Sequence, residues 1–579
     1  MAKMKITYYM AAAALTLTSM TGCTNLDETI YDQVGSDNYY NTKMDVIRMA
    51  FRPFEHGYHS VQQFIPLNEL TADLIITPTR DGWWDDSGKW RTMHDHTYDV
   101  ENGIDKIKYE WDACFQGVGQ CNYAIEKLDE LNPSDFGFTK AEFDNLKGQN
   151  RALRAWYYLR LLDAFRNIPY TVSFNDPSKN ISSQVEPKMI FELIENDLKD
   201  GIELLDVKQN KGGNLNIQGH MTKAAAAALL VRLYQNAEVY IGENRLADCE
   251  RYAQDIVDGK YGYYEVASRW DAPFDWNNET CDEVIFAFPG STQTHWHFKG
   301  DCFWWTVPAK FSDYVGDKKA TPGEHNTKYA ASPSYDNDGH LFSYELGMPI
   351  EKFRKYPGDE RMKLYRNTGT SKREGMFVYG SLPYTDDLGN TKYVTAPTLG
   401  YKLYIRDAVG QFKDLQADRW PGGESKMENG DHNSGWHYVK YPMYADEDPG
   451  QDQCDYVLIR LPEVIYALAE CKLRNGDAAT AGKLLNSVRK RYYPEENWQK
   501  VLYAPEGTAT LDLMEMIDEW GREYFGEGRR RIDLIRFGKF HDKWWDKLAD
   551  IDTHTAIFPI MRDILGSNEK LQQNPGYGN

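Results

Sequence analysis

Apolar residues along most of this chain recur every three or four positions, the spacing of one face of an α-helix. The pattern is fullest in Arg460–Arg491. Leu461, Val464, Ile465, Leu468 and Cys471 form one stripe, and Ala481, Leu484, Leu485 and Val488 form a second. Pro462 suits a first helical turn, where its missing N–H costs nothing. Asn475-Gly476 stops that helix, because glycine tolerates the left-handed conformation at its end. Asp477 can then cap the next helix by accepting a bond from an orphan N–H. The same reasoning predicts helices over Asp105–Leu131, Thr139–Asn167, Pro187–Leu205, Met221–Gly242, Leu246–Asp258, Leu511–Phe525 and Arg531–Trp545. Between Tyr261 and Asp455 the periodicity fails. Gly, Pro, Asp, Asn and aromatic residues dominate there, and few apolar runs exceed a strand's length. A shorter irregular stretch spans Phe64–Val100.

Short helices paired across tight turns, with Ala where they approach, resemble units of a tetratricopeptide-like array, although the strict W-x2-L-G-x2-Y pattern is absent. One such hairpin cannot bury its faces alone, so others must stack on it. The expected fold is mainly α: an array of helical hairpins carrying an irregular, loop-rich insertion. Its parts are a leader at 1–22, a helical part at 23–260 with a loop at 64–100, the insertion at 261–455, and a second helical part at 456–579.

The leader has Lys3 and Lys5 before a short apolar run from Tyr8 to Met20, too short to span a bilayer. Met20-Thr21-Gly22-Cys23 looks like a lipobox, with small Gly22 before the acceptor, which makes Cys23 the expected lipidation site. Several acyl chains on one cysteine would anchor the chain stably. Of the 8 cysteines none forms a C-x2-C pair, which removes zinc-ribbon and thioredoxin readings. Cys471, on an apolar helix face, reads as a core residue. The formal charge of −21 argues against nucleic acid, whose binding is dominated by phosphate neutralisation.

Enzyme motifs fail on inspection. There is no G-x-S-x-G, and Gly476…Gly482-Lys483 has five intervening residues and Leu484 where a P-loop needs Ser or Thr. Glu519, Glu523 and Glu527 fall on one helical face, and Arg522, Arg529–Arg531 and Arg536 are near enough to answer them, which reads as a structural ion network. His94-x-His96 and His295-x-His297 lack a third ligand in register. Ser334–Glu345 imitates a calcium loop through Asp336, Asp338, Gly339 and Glu345, but Ser334 replaces the first Asp and Pro333 argues against an entering helix. The reading is no metal and no cofactor, with calcium on Asp336, Asp338 and Glu345 as the alternative.

Several separated motifs resemble the SusD/RagB family of surface lipoproteins from Bacteroidota nutrient-uptake systems. They are Arg460-Leu461-Pro462-Glu463-Val464, Ala469-Glu470, Asn475-Gly476-Asp477 and Asn486–Arg491. They continue with Glu519, Glu523, Glu527-Gly528, Arg530, Asp533-Leu534 and Arg536–Lys539, then Phe558-Pro559-Ile560 and Gln573–Tyr577. Trp111, Asn122 and Ala152–Pro169 extend the match into the first half. Trp520 stands where Arg is usual, Pro462 where Ala is common, and Met561 where Pro is common. The resemblance implies four tetratricopeptide-like hairpins with a binding insertion, and a non-enzymatic protein of the outer membrane, lipid-anchored and exposed at the cell surface. It implies capture of oligo- or polysaccharide for a SusC-like, TonB-dependent transporter. The alternatives are a peptide receptor of the same fold and a surface glycoside hydrolase.

Aromatic content is high at 14%, with 16 Trp. Sugar recognition needs flat aromatic faces beside planar polar groups. Asp73–Asp86 supplies Trp83 and Trp84, with Asp73 and Arg80 as hydroxyl-binding candidates, and Trp90 follows. The family's equivalent loop lies near its ligand platform. A second candidate is His295-Trp296-His297 through Trp304-Trp305. Trp420 and Trp436, beside Gly-rich loops, complete the aromatic candidates.

Overall fold

The computed structural model describes residues 40–84, 87–212, 218–290, 305–316, 327–369, 372–443 and 454–578. Cys23, Trp296, Trp304, His295 and His297 lie outside them. The chain divides into a unit at Met1–Arg48 and a unit at Met49–Asn579. In the first, Thr42 and Asp45 cap a helix start reciprocally: the Thr42 N–H donates to Asp45 Oδ2 at 2.9 Å, and the Asp45 N–H to Thr42 Oγ1 at 3.3 Å.

Helix α1 runs Lys43–Glu69 and holds both Pro53 and Pro66, so helix replaces loop over the first residues of the expected irregular stretch. It is followed by α2 (Asp105–Glu130), α3 (Lys140–Phe165), α4 (Pro187–Leu204), α5 (Lys223–Gln235) and α6 (Leu246–Val257). Each of α3 to α6 packs on its predecessor. Ala224–Ala228 on α5 are each at most 2% exposed, because methyl groups let neighbouring helices close without a void. The expected helix over Met221–Gly242 is broken at Asn236. Its amide donates to the Arg232 carbonyl at 2.9 Å and accepts from Arg536 at 3.1 Å, which leaves a separate short helix at Ala237–Ile241.

The hairpin is α7 (Leu461–Arg474) and α8 (Ala478–Arg489). Gly476 has φ +85°, and the Asp477 carboxylate accepts the Thr480 N–H at 3.0 Å. Helix α7 packs against α6, so the array resumes where it left off at Val257 and the intervening chain is looped out. Cys471 is fully buried. Helix α9 (Leu513–Glu523) follows, then α10 (Arg530–Arg536). The expected continuation to Trp545 stops at Phe537, where Gly538 takes φ +68°.

Strands are short. β1 (Ile75–Ile76) pairs antiparallel with β3 (Ala330–Ala331), in the register Ile75↔Ala331 and Ile76↔Ala330. β2 (Val284–Phe288) pairs antiparallel with β4 (Tyr456–Arg460), the strand that leads into α7. The two ends of the looped-out segment are therefore clamped together at the array.

Candidate functional site

The site is built on the run that leaves α1. Ser332 N–H donates to the Leu74 carbonyl at 2.9 Å, and Thr79 N–H to the Met427 carbonyl at 3.0 Å. This run is thus sewn into the insertion at two places. Arg80–Trp83 then turns tightly, with Asp81 at φ +50° and Gly82 at φ +74°. Positive φ at both central residues is the type I′ turn that Asp-Gly favours. Trp83 N–H donates to the Arg80 carbonyl at 2.8 Å, and Arg80 N–H to the Trp84 carbonyl at 3.1 Å. The turn is held from behind. Tyr401 Oη donates to the Asp81 carboxylate, and Lys413 Nζ lies 3.8 Å from it.

Beyond the turn three indoles meet. Trp84 and Trp90 stand edge to face at 6.1 Å, and Trp90 and Trp305 do so at 5.8 Å. Tyr329 closes the group at 5.9 Å from Trp305. The β1–β3 ladder explains the meeting: Tyr329 directly precedes β3, and both Lys328 and Tyr329 donate their N–H groups to the Trp305 carbonyl, at 3.0 and 2.7 Å. Trp84, Trp90 and Trp305 are partly exposed, whereas Tyr329 is buried. Lys328 Nζ sits 3.6 Å from the Trp305 ring centroid and 4.8 Å from that of Trp90, within cation–π range. Lys106 reaches the Trp305 ring from α2 at 5.9 Å. The platform thus offers aromatic faces with an ammonium group among them.

Of the expected residues, the structure joins Trp84, Trp90 and Trp305. Trp83 lies beside them, partly exposed but without a ring contact among the described residues, and its indole N–H is buried with no partner. Asp73 and Arg80 are corrected. Asp73 is fully buried; it receives Arg530 Nε and Nη2 at 2.6 and 2.9 Å and the Gly347 N–H at 2.7 Å. Burial alone would raise its carboxyl, but Arg530 outweighs burial and holds it at about 2. Arg80 is also fully buried and donates to the carbonyls of Asp431 and Ser434 at 3.0 and 2.7 Å. Burial brings its pKa down to about 10. Both residues support the loop from inside, out of a surface ligand's reach. Tyr329, Lys328, Lys106 and Tyr401 escaped the sequence reading, since nothing local marks which distant side chains a two-residue ladder will align.

The calcium alternative is corrected in part. Glu345 turns away to pair with Lys539 at 3.0 Å. Asp336 and Asp338 gather instead with His340, their ligand atoms within 4.8 Å of one another. Asp336 Oδ1 is spent on the N–H groups of Asp338 and His340, at 2.9 and 2.8 Å. His94 and His96 have separate buried partners: the Trp545 carbonyl for one, Asp550 and the Thr71 carbonyl for the other. Burial lowers both to about 4, which keeps them neutral. Trp436 is 8% exposed and stacks on Tyr379 at 4.0 Å.

The expected single glutamate face is corrected: Glu519 and Glu523 lie on α9 and Glu527 just beyond its end, and the three form an interior ion network. Glu519 pairs with Arg489 and Arg522, and accepts from Tyr466 Oη at 2.8 Å. Glu523 pairs with Arg460 and Arg491, and Glu527 takes Arg460 at 2.8 Å and Lys440 at 2.7 Å. Trp520 donates its indole N–H to Glu470 at 2.9 Å, with the Arg529 guanidinium 3.8 Å from the ring centroid. A cavity of about 110 Å³ lies among the helices, lined by Trp156, Arg160, Tyr524 and Arg531 among others, and none of the platform residues borders it.

The architecture is a helical-hairpin array with a looped-out insertion, and three indoles from the loop after α1 and from the insertion gather at one place. Residues 405–577 match the family model described as "SusD family", and residues 66–235 match one described as "Starch-binding associating with outer membrane". The "Starch-binding protein SusD" of Bacteroides thetaiotaomicron is 25% identical over 500 residues, covering 79% of this chain and 76% of that protein. Among solved structures, B. fragilis NanU is similar with a TM-score of 0.63 at 17% identity, covering 95% of this chain and 100% of that one. A surface glycan-binding protein A from Bacteroides uniformis gives 0.59 at 17% identity, over 92% of this chain and 99% of that one. The chain belongs to the SusD family. No helix among its described residues is long and apolar enough to cross a membrane.

Proposed function

We propose that this protein is a non-enzymatic glycan receptor of the outer-membrane surface. It is anchored through lipid on Cys23, captures oligo- or polysaccharide on the Trp84–Trp90–Trp305 platform, and hands it to a SusC-like transporter. One observation carries the reading: three partly exposed indoles, two from the loop after α1 and one from the insertion, meet with neighbouring rings 5.8 and 6.1 Å apart. Rigid aromatic faces bind the C–H face of a pyranose with little loss of side-chain freedom. The family's description as starch-binding and associated with the outer membrane agrees with this ligand class and location. A non-catalytic role agrees with the placement of Glu519 and Glu523, whose charges are spent on buried arginines.

The test is a glycan array on a soluble form beginning at Thr24, followed by calorimetry on Trp84→Ala and Trp305→Ala. Glycan binding that both substitutions weaken supports the platform. Release of reducing ends from polysaccharide by the pure protein would overturn the non-enzymatic reading, and binding left intact by both would remove these indoles from the site. The anchor is tested by mass spectrometry of the mature N-terminus, and the transporter by co-purification from outer membranes.

A further inference from the structure

The insertion carries a second set of aromatic residues that, among the described residues, makes no ring contact with the platform. Trp420 and Tyr404 are each 38% exposed. The inner side of Trp420 is firmly seated. Its indole lies on Gly339, where φ is +83° and an added Cβ would stand 2.7 Å from the ring, so conformation and space both require glycine there. Tyr335 and Phe412 flank the ring at 6.1 and 6.4 Å.

Arg406 locks the arrangement. Its guanidinium lies 5.5 Å from the Tyr404 ring, 4.6 Å from Phe412 and 5.8 Å from Trp420. It also donates to the carbonyls of Arg419 and Gln416, at 2.7 and 2.6 Å, which fixes the loop that presents Trp420. Its Nε is buried without a partner. Asp338, the residue before Gly339, is exposed; among the described residues its carboxylate makes no hydrogen bond or ion pair, and it lies with those of Asp336 and His340 in a group whose ligand atoms are within 4.8 Å of one another. A rigid indole open on one side, with an exposed carboxylate on the residue that precedes its glycine seat, is the pairing that recognises a sugar: C–H groups on the ring and hydroxyls on the oxygens.

We infer that Trp420, Tyr404 and Asp338 form a second carbohydrate-binding face, separate from the Trp84–Trp90–Trp305 platform. The inference rests on the glycan-receptor reading. Its ligand class is a neutral pyranose chain, because Asp338 accepts hydroxyl protons and would repel a uronate. Two faces on one chain favour long polymers, since a polymer held at one is presented to the other at high effective concentration.

The test is affinity electrophoresis of the full chain in mild detergent, through native gels holding starch, laminarin, xylan or polygalacturonate. On the polymer that retards the wild type, Trp420→Ala and Asp338→Ala are each expected to weaken retention by about fivefold or more. In a Trp84→Ala, Trp90→Ala background, Trp420→Ala is expected to abolish the residual retention. Asp338→Ala removes an exposed, unbonded side chain, so its effect cannot be laid to misfolding. Retention unchanged by both substitutions overturns the second face and leaves the first platform standing. Preferential retention by polygalacturonate overturns the neutral-ligand assignment. A wild type retarded by none of the polymers overturns the glycan reading and this one with it.

Discussion

Asp73 and Arg530 are 457 positions apart, yet they form a two-pronged ion pair buried from water, Asp73 completely and Arg530 to within 3%. The pair ties the base of the aromatic loop to α10, at the far end of the chain. Removing the carboxylate would leave a buried guanidinium unanswered, so Asp73→Ala is expected to cost about 3–5 kcal/mol of stability by denaturant titration. The pH dependence has a definite sign. With its pKa held at about 2, below the ordinary value near 4, Asp73 contributes stability that is complete above about pH 4 and is lost as pH falls toward 2. Asp73→Ala should therefore flatten the acid limb of the melting-temperature profile.

Glu69 behaves oppositely. It is 1% exposed; Oε1 accepts the N–H groups of Gly528 and Arg529 at 2.6 and 3.1 Å, and Oε2 has no partner. Burial pushes its carboxyl up to about 8 despite those bonds. The folded chain keeps a proton that the unfolded chain releases near pH 4, so the favourable state is complete below about pH 4 and is lost as pH rises toward 8. Glu69→Gln keeps an acceptor and cannot ionise. Its melting temperature should match the wild type's at about pH 4 and exceed it progressively up to about pH 8.

At the platform, Trp84→Ala, Trp90→Ala and Trp305→Ala should each weaken glycan binding by about 1 kcal/mol, a factor of roughly five, measured by calorimetry. Trp83→Ala should have the smaller effect, because Trp83 stands outside the ring cluster. Equal losses for Trp83 and Trp84 would count against this geometry.

Two glycines of α2 make a matched pair. An added Cβ at Gly117 would stand 2.2 Å from the Tyr157 ring, whose hydroxyl is tied to the Pro53 carbonyl at 2.8 Å. At Gly119 it would meet nothing within 4 Å. Gly119→Ala should therefore gain up to about 1 kcal/mol from helix propensity. Gly117→Ala should lose about 1–3 kcal/mol to overpacking, both read from thermal melts.

The helical array was legible because its signals are local. The stripe from Leu461 to Cys471, the stop at Gly476 and the cap at Asp477 lie within one short stretch and fold as their spacing requires. Helix ends governed by distant partners were less so: Asn236 breaks a helix partly by receiving Arg536, three hundred positions away. The platform was half legible. Indoles in a Gly/Asp loop announce themselves, but the polar residues beside them do not disclose whether they face outward. Asp73 and Arg80 look like ligand groups in sequence and are interior supports in space, because what decides between the two is a partner beyond α9 for one and at 431–434 for the other.

The edge-to-face contact of Trp90 and Trp305 has an optical consequence. Indoles this close couple their transitions, so the pair should give a near-ultraviolet circular dichroism couplet that exists only while the 327–332 segment is docked on the loop. The helices, by contrast, dominate the far-ultraviolet. The protein therefore carries two spectroscopic clocks, one for its scaffold and one for its receptor surface. A denaturation series in which the near-ultraviolet signal fades before the far-ultraviolet one would reveal an intermediate with a formed frame and an undone mouth.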